Sequence, residues 1–440
     1  MSPAPERERA LLAGLDIKGH SGRKESSGYF DYTPEESLDE LATLAQSAGA
    51  VILGRMLQTL ERPKAATLIG SGKVEELAAL ARAAKAGTVI FDHDLTPTQQ
   101  RNLERALDCK VVDRTQLILD IFARRARTRE GQLQVELAQL NYLLPRLAGR
   151  GTEMSRLGGG IGTRGPGETQ LETDRRRISG RIARLQKELD SVRSGRAVQR
   201  RQRQAVPLAT AALVGYTNAG KSTLFNRITG AEVVADSRMF ATLDPTVRAI
   251  ALPSRRKILL SDTVGFIRNL PVDLVKAFRA TLEEVTEASL VLHVIDVSSP
   301  HAEPQIAHVL KVLAEIDAGA TPQLLVLNKT DLAPEAGTDP DAARRRLLAG
   351  LGAKAETRAV AVSAKTGQGI DHLLAAVDDL LPLDPVTRAT FRIPAGDGGT
   401  INLLHEFGRV RSLRYEGEDC VIDAEVPQSV RSRLAGFVAG

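Results

Sequence analysis

The 440-residue sequence predicts an α/β protein of four parts, and three observations support this prediction. Apolar strands alternate with helices over 38–112 and again over 208–383, which is typical of mostly parallel sheets with crossover helices. Between these regions, two stretches repeat apolar residues every three or four positions, which indicates paired helices. The last stretch, 384–440, alternates short strands and a helix, as a small α+β unit does.

The first part, 1–113, is predicted to be a small α/β domain. Residues 1–37 are polar and rich in turn-forming residues, so we expect a mobile lead-in or a loosely held first element. Apolar runs then predict strands at 50–54, 67–69, 88–92 and 110–112. The stretches 38–48, 74–85 and 97–107 have helical periodicity, so helices can cross over between the strands.

The second part, 114–206, is predicted to be an antiparallel helical hairpin. Two apolar seams have the spacing of paired helices, namely Leu133, Leu137, Leu140, Leu144 and Leu147 in one and Ile178, Ile182, Leu185, Leu189 and Val192 in the other. The alternative is two core helices of one bundle. Between the seams, 149–167 is rich in glycine and has no period, so it forms the tip of the hairpin in our interpretation.

The positive charge of the chain is concentrated in this hairpin. Residues 114–206 hold 20 Arg and Lys against nine Asp and Glu, whereas the whole chain has a net charge of only +5. A local surplus of this kind indicates a polyanionic partner such as RNA. The candidate RNA contacts are the basic and glycine residues of the tip: Arg150, Arg156, Gly158, Gly159, Gly160 and Arg164.

Several classes of protein are excluded by composition. No apolar run approaches the length of a membrane span, and charged residues interrupt the start of the chain where a secretory signal would be apolar. The two cysteines, Cys109 and Cys420, fit neither a metal site nor a disulfide framework. We therefore expect a cytoplasmic protein with free thiols, and a monomer.

A phosphate-binding loop begins the third part, 207–383. An apolar strand at 208–214 leads into the pattern G-x-x-x-x-G-K-S, and a helix follows at 223–228. In this setting backbone N–H groups surround phosphate oxygens, the lysine neutralises their charge and the serine binds Mg²⁺. The residues of the loop are Gly215, Tyr216, Thr217, Asn218, Ala219, Gly220, Lys221 and Ser222.

Further motifs complete the predicted nucleotide site, and the first of them selects the base. The carboxylate that ends Asn-Lys-Thr-Asp331 can accept hydrogen bonds from N1–H and N2–H₂ of guanine, a donor pair that adenine lacks. The motif Asp-Thr-Val-Gly265 supplies a carboxylate for magnesium and an N–H for the γ-phosphate, and 240–246 is placed as the first nucleotide-sensing segment. The ends of successive strands form the ligand crevice of α/β sheets. This part is therefore predicted to be a P-loop GTPase domain that binds GTP.

The predicted roles follow from these motifs. Beyond the loop, the predicted GTP-binding residues are Phe240, Ala241, Thr242, Leu243, Asp244, Asp262, Thr263, Val264, Gly265, Asn328, Lys329, Thr330, Asp331, Ser363, Ala364 and Lys365. Ser222, Thr242 and Asp262 are the predicted magnesium site, with Thr246 as the alternative to Thr242. Lys221, Asn218, Thr242 and Gly265 are the predicted catalytic residues.

The chain resembles the HflX family of ribosome-associated GTPases. The resemblance rests on GYTNAGKS, FATLDPT and DTVGFI in the GTPase part, on IGSGKVEEL at 69–77 and QLQVELAQLNYLLPRL at 132–147, and on GGGIGTRGPGETQLETDRR at 158–176. It covers about 40–385. It implies a GTPase that binds the large ribosomal subunit and its ribosomal RNA and splits stalled or idle ribosomes, with the hairpin tip near the peptidyl transferase centre.

Two positions bear on the mechanism. Phe266 stands where many regulatory GTPases have a glutamine that orients the attacking water, so slow intrinsic turnover is expected. Asn218 resembles the asparagine of GTPases that bind K⁺ beside the phosphates; the alternative is that it only braces the loop. Two other functions stay open: a GTPase of ribosome assembly or RNA modification, and a nucleotide-gated adaptor with little turnover.

Overall fold

The computed structural model describes residues 8–18, 32–147, 166–204, 208–231, 239–268, 279–332, 358–381 and 384–439. Its N-terminal domain alternates strands and helices: β1 (Arg9–Ile17), α1 (Pro34–Ser47), β2 (Val51–Leu60), α2 (Ser71–Ala84), β3 (Thr88–Phe91), α3 (Pro97–Leu107) and β4 (Lys110–Asp113). The strands form one parallel sheet in the order β2-β1-β3-β4. The predicted small parallel sheet is thereby confirmed.

The lead-in predicted for 1–37 is wrong over 9–17. These residues form β1, which lies between β2 and β3 and buries Ala10 and Leu12 completely. A strand paired on both sides buries both faces and therefore reads as a short apolar run, here ALLAGL, without alternation. Conversely, the strand predicted at 67–69 is only an isolated bridge between Lys64 and Leu68.

The predicted hairpin is present. Helix α4 (Arg114–Arg125) leads into α5 (Arg129–Leu147), and α6 (Pro166–Gln204) returns against it. Leu133 near the start of α5 packs against Leu185 and Leu189, while Glu136 further along α5 contacts Arg181 earlier in α6, so the helices run antiparallel. An ion pair between Glu136 and Arg181, with N and O 2.8 Å apart, fixes the same register.

The GTPase domain contains a six-stranded sheet in the order β10-β9-β8-β5-β7-β6. Its elements are β5 (Thr210–Gly215), α7 (Lys221–Thr229), β6 (Thr246–Ala251), β7 (Lys257–Asp262), α8 (Arg279–Thr286), β8 (Leu290–Asp296), α9 (Ala302–Glu315), β9 (Gln323–Asn328), β10 (Ala359–Ala361) and α10 (Ile370–Leu380). All neighbours are parallel except β6 and β7. The carboxyl ends of β5, β7, β8, β9 and β10 therefore open on one edge.

The C-terminal unit is the predicted small α+β domain. Its elements are β11 (Val386–Pro394), α11 (Gly398–Phe407), β12 (Arg409–Glu416), β13 (Asp419–Pro427) and α12 (Gln428–Arg433). The antiparallel sheet has the order β11-β13-β12, and its apolar face buries Phe391, Ile422 and Leu404 of α11. Helix α12 was not predicted.

The N-terminal and GTPase domains share one apolar core. Met239, Phe240 and Leu243 of the GTPase domain are buried together with residues of α1 and α4. The rings of Phe240 and Phe122 lie 4.5 Å apart, edge to face. The segment that is predicted to sense the nucleotide thus lies between the two domains. Among the described residues, no helix has the length and apolar character to cross a membrane.

Candidate functional site

The phosphate loop connects β5 to α7 and depends on two glycines. Gly220 has a φ of +94°, and an added Cβ would lie 2.2 Å from Nδ2 of Asn328. Gly215 has a φ of +150°, and a Cβ there would lie 2.3 Å from the carbonyl oxygen of Val294. Only glycine combines these φ values with such close approach. The first N–H groups of α7 are thereby left facing the crevice, as an anion site requires.

Lys221 is buried at the base of this loop. Its Nζ donates to the carbonyl oxygens of Tyr216 and Gly215 at 2.9 and 3.1 Å. Burial lowers the pKa of Lys221 to about 8, and the charge of Asp262 opposes the shift. Both hydrogen-bond partners of the ammonium are neutral carbonyls, so an approaching phosphate would be its first directly bonded anion.

Ser222, Thr242 and Asp262 meet beside the lysine. Oδ2 of Asp262 accepts from Ser222 Oγ at 2.8 Å and from Thr242 Oγ1 at 2.7 Å, and the two hydroxyls are 2.7 Å apart. Burial raises the pKa of Asp262, while the hydrogen bond from Thr242 opposes the shift. Its other oxygen, Oδ1, is buried and has no hydrogen-bond partner within the described residues. This set of oxygens fits Mg²⁺, which prefers oxygen ligands.

The opposite end of the crevice carries the motifs that are predicted to select the base. Asn328 is 1% exposed and braces two loops: its Nδ2 donates to Ala219 O at 2.8 Å, and its Oδ1 accepts from Ala364 N at 2.9 Å. Asp331 lies at the rim, where its Oδ1 accepts from Ser363 Oγ at 2.7 Å. One carboxylate oxygen of Asp331 is thereby oriented by a neighbouring loop, as a guanine reader needs.

The loop, the sensing segment and the base motifs enclose one cavity of about 510 Å³. It is lined by Thr217, Asn218, Gly220, Lys221, Ser222, Thr223, Phe240, Ala241, Thr242, Thr263, Gly265, Asn328, Lys329, Asp331, Leu332, Ala364 and Lys365. Thr223 and Leu332 were not predicted. The remaining predicted GTP-binding residues do not line this cavity, namely Gly215, Tyr216, Ala219, Leu243, Asp244, Asp262, Val264, Thr330 and Ser363.

Some residues around the site carry roles that the sequence did not indicate. Lys329 has a φ of +64°, and its Nζ pairs with Oδ2 of Asp296 at 2.6 Å. The position of Asp296 at the end of β8 was the only signal for it in the sequence. Tyr216 of the loop donates its hydroxyl to Glu40 of α1 and accepts from Arg268 N at 3.0 Å. No sequence motif connects these three residues.

Three family models match the chain in succession. They are described as GTP-binding GTPase N-terminal, over 35–123; GTP-binding GTPase Middle Region, over 125–203; and 50S ribosome-binding GTPase, over 210–329. GTPase HflX of Caldanaerobacter subterraneus subsp. tengcongensis is 46% identical, over 99% of this chain and 95% of that protein. The chain belongs to the HflX family.

A second curated relative agrees with the HflX assignment. GTPase HflX of Escherichia coli is 47% identical over 87% of this chain and 86% of its own length. A GTP-binding protein from Sulfolobus solfataricus, solved in complex with GDP, is 25% identical with a TM-score of 0.44, over 85% of this chain and 98% of that one. The family resemblance seen in the sequence is confirmed, and the HflX-family chain is a GTPase.

The HflX site has no glutamine to orient water after Gly265. Phe266 is 2% exposed and packs in the core beneath β5 and β8, while its backbone bonds to Gly215 and Thr217. Its side chain therefore faces away from the cavity. The predicted RNA contacts Arg150, Arg156, Gly158, Gly159, Gly160 and Arg164 lie outside the described residues.

Proposed function

We propose that this HflX-family GTPase acts as a cytoplasmic monomer that binds the large ribosomal subunit and its ribosomal RNA through the tip of the hairpin, and splits stalled or idle ribosomes. The observation that most directly supports this proposal is the arm that helices α5 and α6 form. Helix α5 has 19 residues and α6 has 39, which correspond to lengths of roughly 28 and 58 Å. The two helices pair over the length of α5, since Arg129 at its start contacts Glu188, and in this proposal the basic tip lies at the other end of the pair, away from the GTPase domain. The family model described as 50S ribosome-binding GTPase supports the same partner.

The stem should hold its shape without the tip. Leu133, Leu185 and Leu189 bury one another at its base, and Arg129 pairs with Glu188 at 2.6 Å. These contacts lie within α5 and α6 and involve no residue of 149–165. The tip can therefore be altered while the arm and the nucleotide site remain folded.

Replacing 158–167 by a short Gly-Ser turn is expected to abolish ribosome splitting and to lower ribosome-stimulated hydrolysis at least about tenfold, while GTP affinity and thermal stability change little. The reason is that phosphate contacts supply most of the affinity for RNA. The measurement is GTP hydrolysis with and without purified subunits, with co-sedimentation in parallel. Full splitting by the tip variant would refute the proposal.

A milder set of variants separates charge from shape. Changing Arg150, Arg156 or Arg164 to Ala should flatten the log–log salt dependence of binding by about one unit for each phosphate that is no longer neutralised. Stimulation by bare RNA as strong as that by assembled ribosomes would point instead to assembly or RNA modification. GTP-dependent binding without any stimulation would indicate an adaptor.

For the chemistry, we infer that Ser222 and Thr242 hold Mg²⁺ beside Asp262, where the ion would neutralise charge on the phosphates. Lys221 adds a second positive charge on the same side. The N–H of Gly265 faces the position of the γ-phosphate, and close packing supports this placement: a Cβ on Gly265 would lie 3.0 Å from Lys221 Nζ. Asp331 reads guanine while Asn328 holds the surrounding loops together.

Among the described residues that line this cavity there is no arginine. We propose that a potassium ion supplies the positive charge that an arginine finger would bring to the phosphates. Asn218 has a φ of +62°, is exposed, and lines the cavity beside the phosphate loop. Replacing NaCl by KCl at equal ionic strength should raise intrinsic hydrolysis about tenfold, below the 10³–10⁵ of an arginine finger because K⁺ donates no hydrogen bonds. Asn218→Gly keeps the left-handed backbone and should remove the gain. Equal rates in the two salts would leave Asn218 with a bracing role.

A further inference from the structure

The carboxylate of Asp244 points away from the nucleotide, toward the base of the hairpin. Its Oδ2 accepts hydrogen bonds from the backbone N of Arg127 at 3.0 Å and of Thr128 at 2.9 Å. Its Oδ1 accepts from the hydroxyl of Thr128. These donors form the link between α4 and α5. Asp244 therefore joins the GTPase domain to the point where the arm begins.

Thr128 in turn caps α5. Its Oγ1 accepts from the backbone N of Gly131 at 3.0 Å, and its carbonyl oxygen accepts from Gln132 N at 3.0 Å. A carboxylate at this position extends the cap and interacts favourably with the helix dipole. The contact is close: a Cβ on Gly131 would lie 2.5 Å from Oδ1 of Asp244. The approach thus depends on a glycine in the first turn of α5.

Thr242 lies two residues before Asp244 and has the opposite orientation. Its hydroxyl faces Ser222 and Asp262 in the nucleotide site. On its other side, Phe240 packs against Phe122, and the backbone N of Met239 donates to Ser47 Oγ at 3.0 Å. The segment 239–244 is therefore held by the N-terminal domain at one end and by the arm at the other, with Thr242 between the two anchors.

We propose that Asp244 is a positioning residue for GTP hydrolysis: by capping the base of the arm, it holds Thr242 at the site inferred for Mg²⁺. A shift of the arm base changes the position of Asp244 and, through two residues of backbone, that of Thr242. The positioning role of Asp244 requires only that the protein is a GTPase. The direction of the coupling, from a ribosome bound at the tip to the nucleotide site, rests on the proposed function.

The test is intrinsic GTP hydrolysis in the full chain without ribosomes. Asp244→Ala should lower the single-turnover rate about fivefold, the equivalent of removing a helix cap, and raise the Mg²⁺ concentration for half-maximal rate. GDP affinity should stay within about twofold. Asp244→Asn keeps one acceptor oxygen and should give an intermediate rate. The control, Asp371→Ala, removes an acid from the first turn of α10 and should leave the rate unchanged.

The second variant is Gly131→Ala. Alanine has a higher helix propensity than glycine, but its Cβ would displace the Asp244 carboxylate. It should reproduce the rate loss. In the double variant the two losses should not add, because both act through one contact. An unchanged rate in either single variant, additive losses, or a parallel fall in GDP affinity would overturn the proposal. Because no ribosome is present, these outcomes are independent of whether the ribosome is the partner.

Discussion

Asp331→Asn is expected to weaken GTP binding by about 10⁴-fold, because a polar site strongly rejects a ligand that leaves its groups unpaired. The carboxylate can accept from both N1–H and N2–H₂ of guanine, whereas the amide of Asn would place an NH₂ donor against one of them. Xanthine carries an oxygen in place of the N2 amine. The same variant should therefore bind xanthosine triphosphate better than GTP.

Competition between GTP and xanthosine triphosphate for a fluorescent nucleotide measures this switch. Ser363→Ala is the matched control, since it removes the hydroxyl that orients Asp331 Oδ1 at 2.7 Å but keeps the carboxylate. It should weaken GTP binding by less than about tenfold, because it removes one supporting hydrogen bond and leaves the carboxylate in place. If Asp331→Asn bound GTP within about tenfold of the wild type, guanine would be read elsewhere.

The nucleotide site could be predicted in outline because its signals are local. The motifs that begin at Gly215, Asp262, Asn328 and Ser363 lie at or just after the carboxyl ends of strands of the GTPase sheet, and parallel strands bring these ends to one edge. The spacing of G-x-x-x-x-G-K-S thus predicts the loop around Gly220 and Lys221 from the sequence alone. The bracing role of Asn328 could not be predicted, since its partners Ala219 and Ala364 belong to two other loops.

Contacts between domains gave no signal in the sequence. Thr128 and Asp244 are 116 residues apart, and Glu40 and Tyr216 are 176 apart. In each pair an ordinary polar residue gains its role only when two domains pack together. The buried strand β1 was missed for another reason: the charged residues before it and its lack of alternation made 1–37 resemble a solvated lead-in. A periodic pattern shows which face of a helix or strand is buried, but not which residues of another domain contact it.

The contact between the N-terminal domain and the phosphate loop depends on a buried cluster of charges. Arg114 and Glu40 form an ion pair whose side chains are 2% and 6% exposed, and Arg114 also bonds to Asp92 at 2.8 Å. Burial disfavours the charged guanidinium of Arg114, but the two carboxylates outweigh it and raise its pKa. Burial also raises the pKa of Tyr216, whose hydroxyl stays protonated and donates to Glu40.

Glu40→Ala is expected to destabilise the protein by about 3–5 kcal/mol, because it leaves Arg114 buried with only part of its counter-charge. It also leaves the Tyr216 hydroxyl without its acceptor, so α1 no longer holds the phosphate loop. Thermal unfolding should show a decrease in Tm on the order of 10 °C. Glu40→Gln retains an acceptor for Tyr216 and should be less destabilising.

Asp39→Ala is the matched control for this prediction. Asp39 precedes Glu40 on α1 and pairs with Arg55 at the surface, where the side chains are 62% and 46% exposed. Exposed pairs contribute about 0–1 kcal/mol, so the two neighbouring acids should differ by several kcal/mol although both carry a salt bridge. Equal destabilisation by Glu40→Ala and Asp39→Ala would show that the cluster is hydrated in solution. The phosphate loop would then be held by its other contacts, namely the backbone hydrogen bonds with Phe266 and the bond from Asn328 to Ala219.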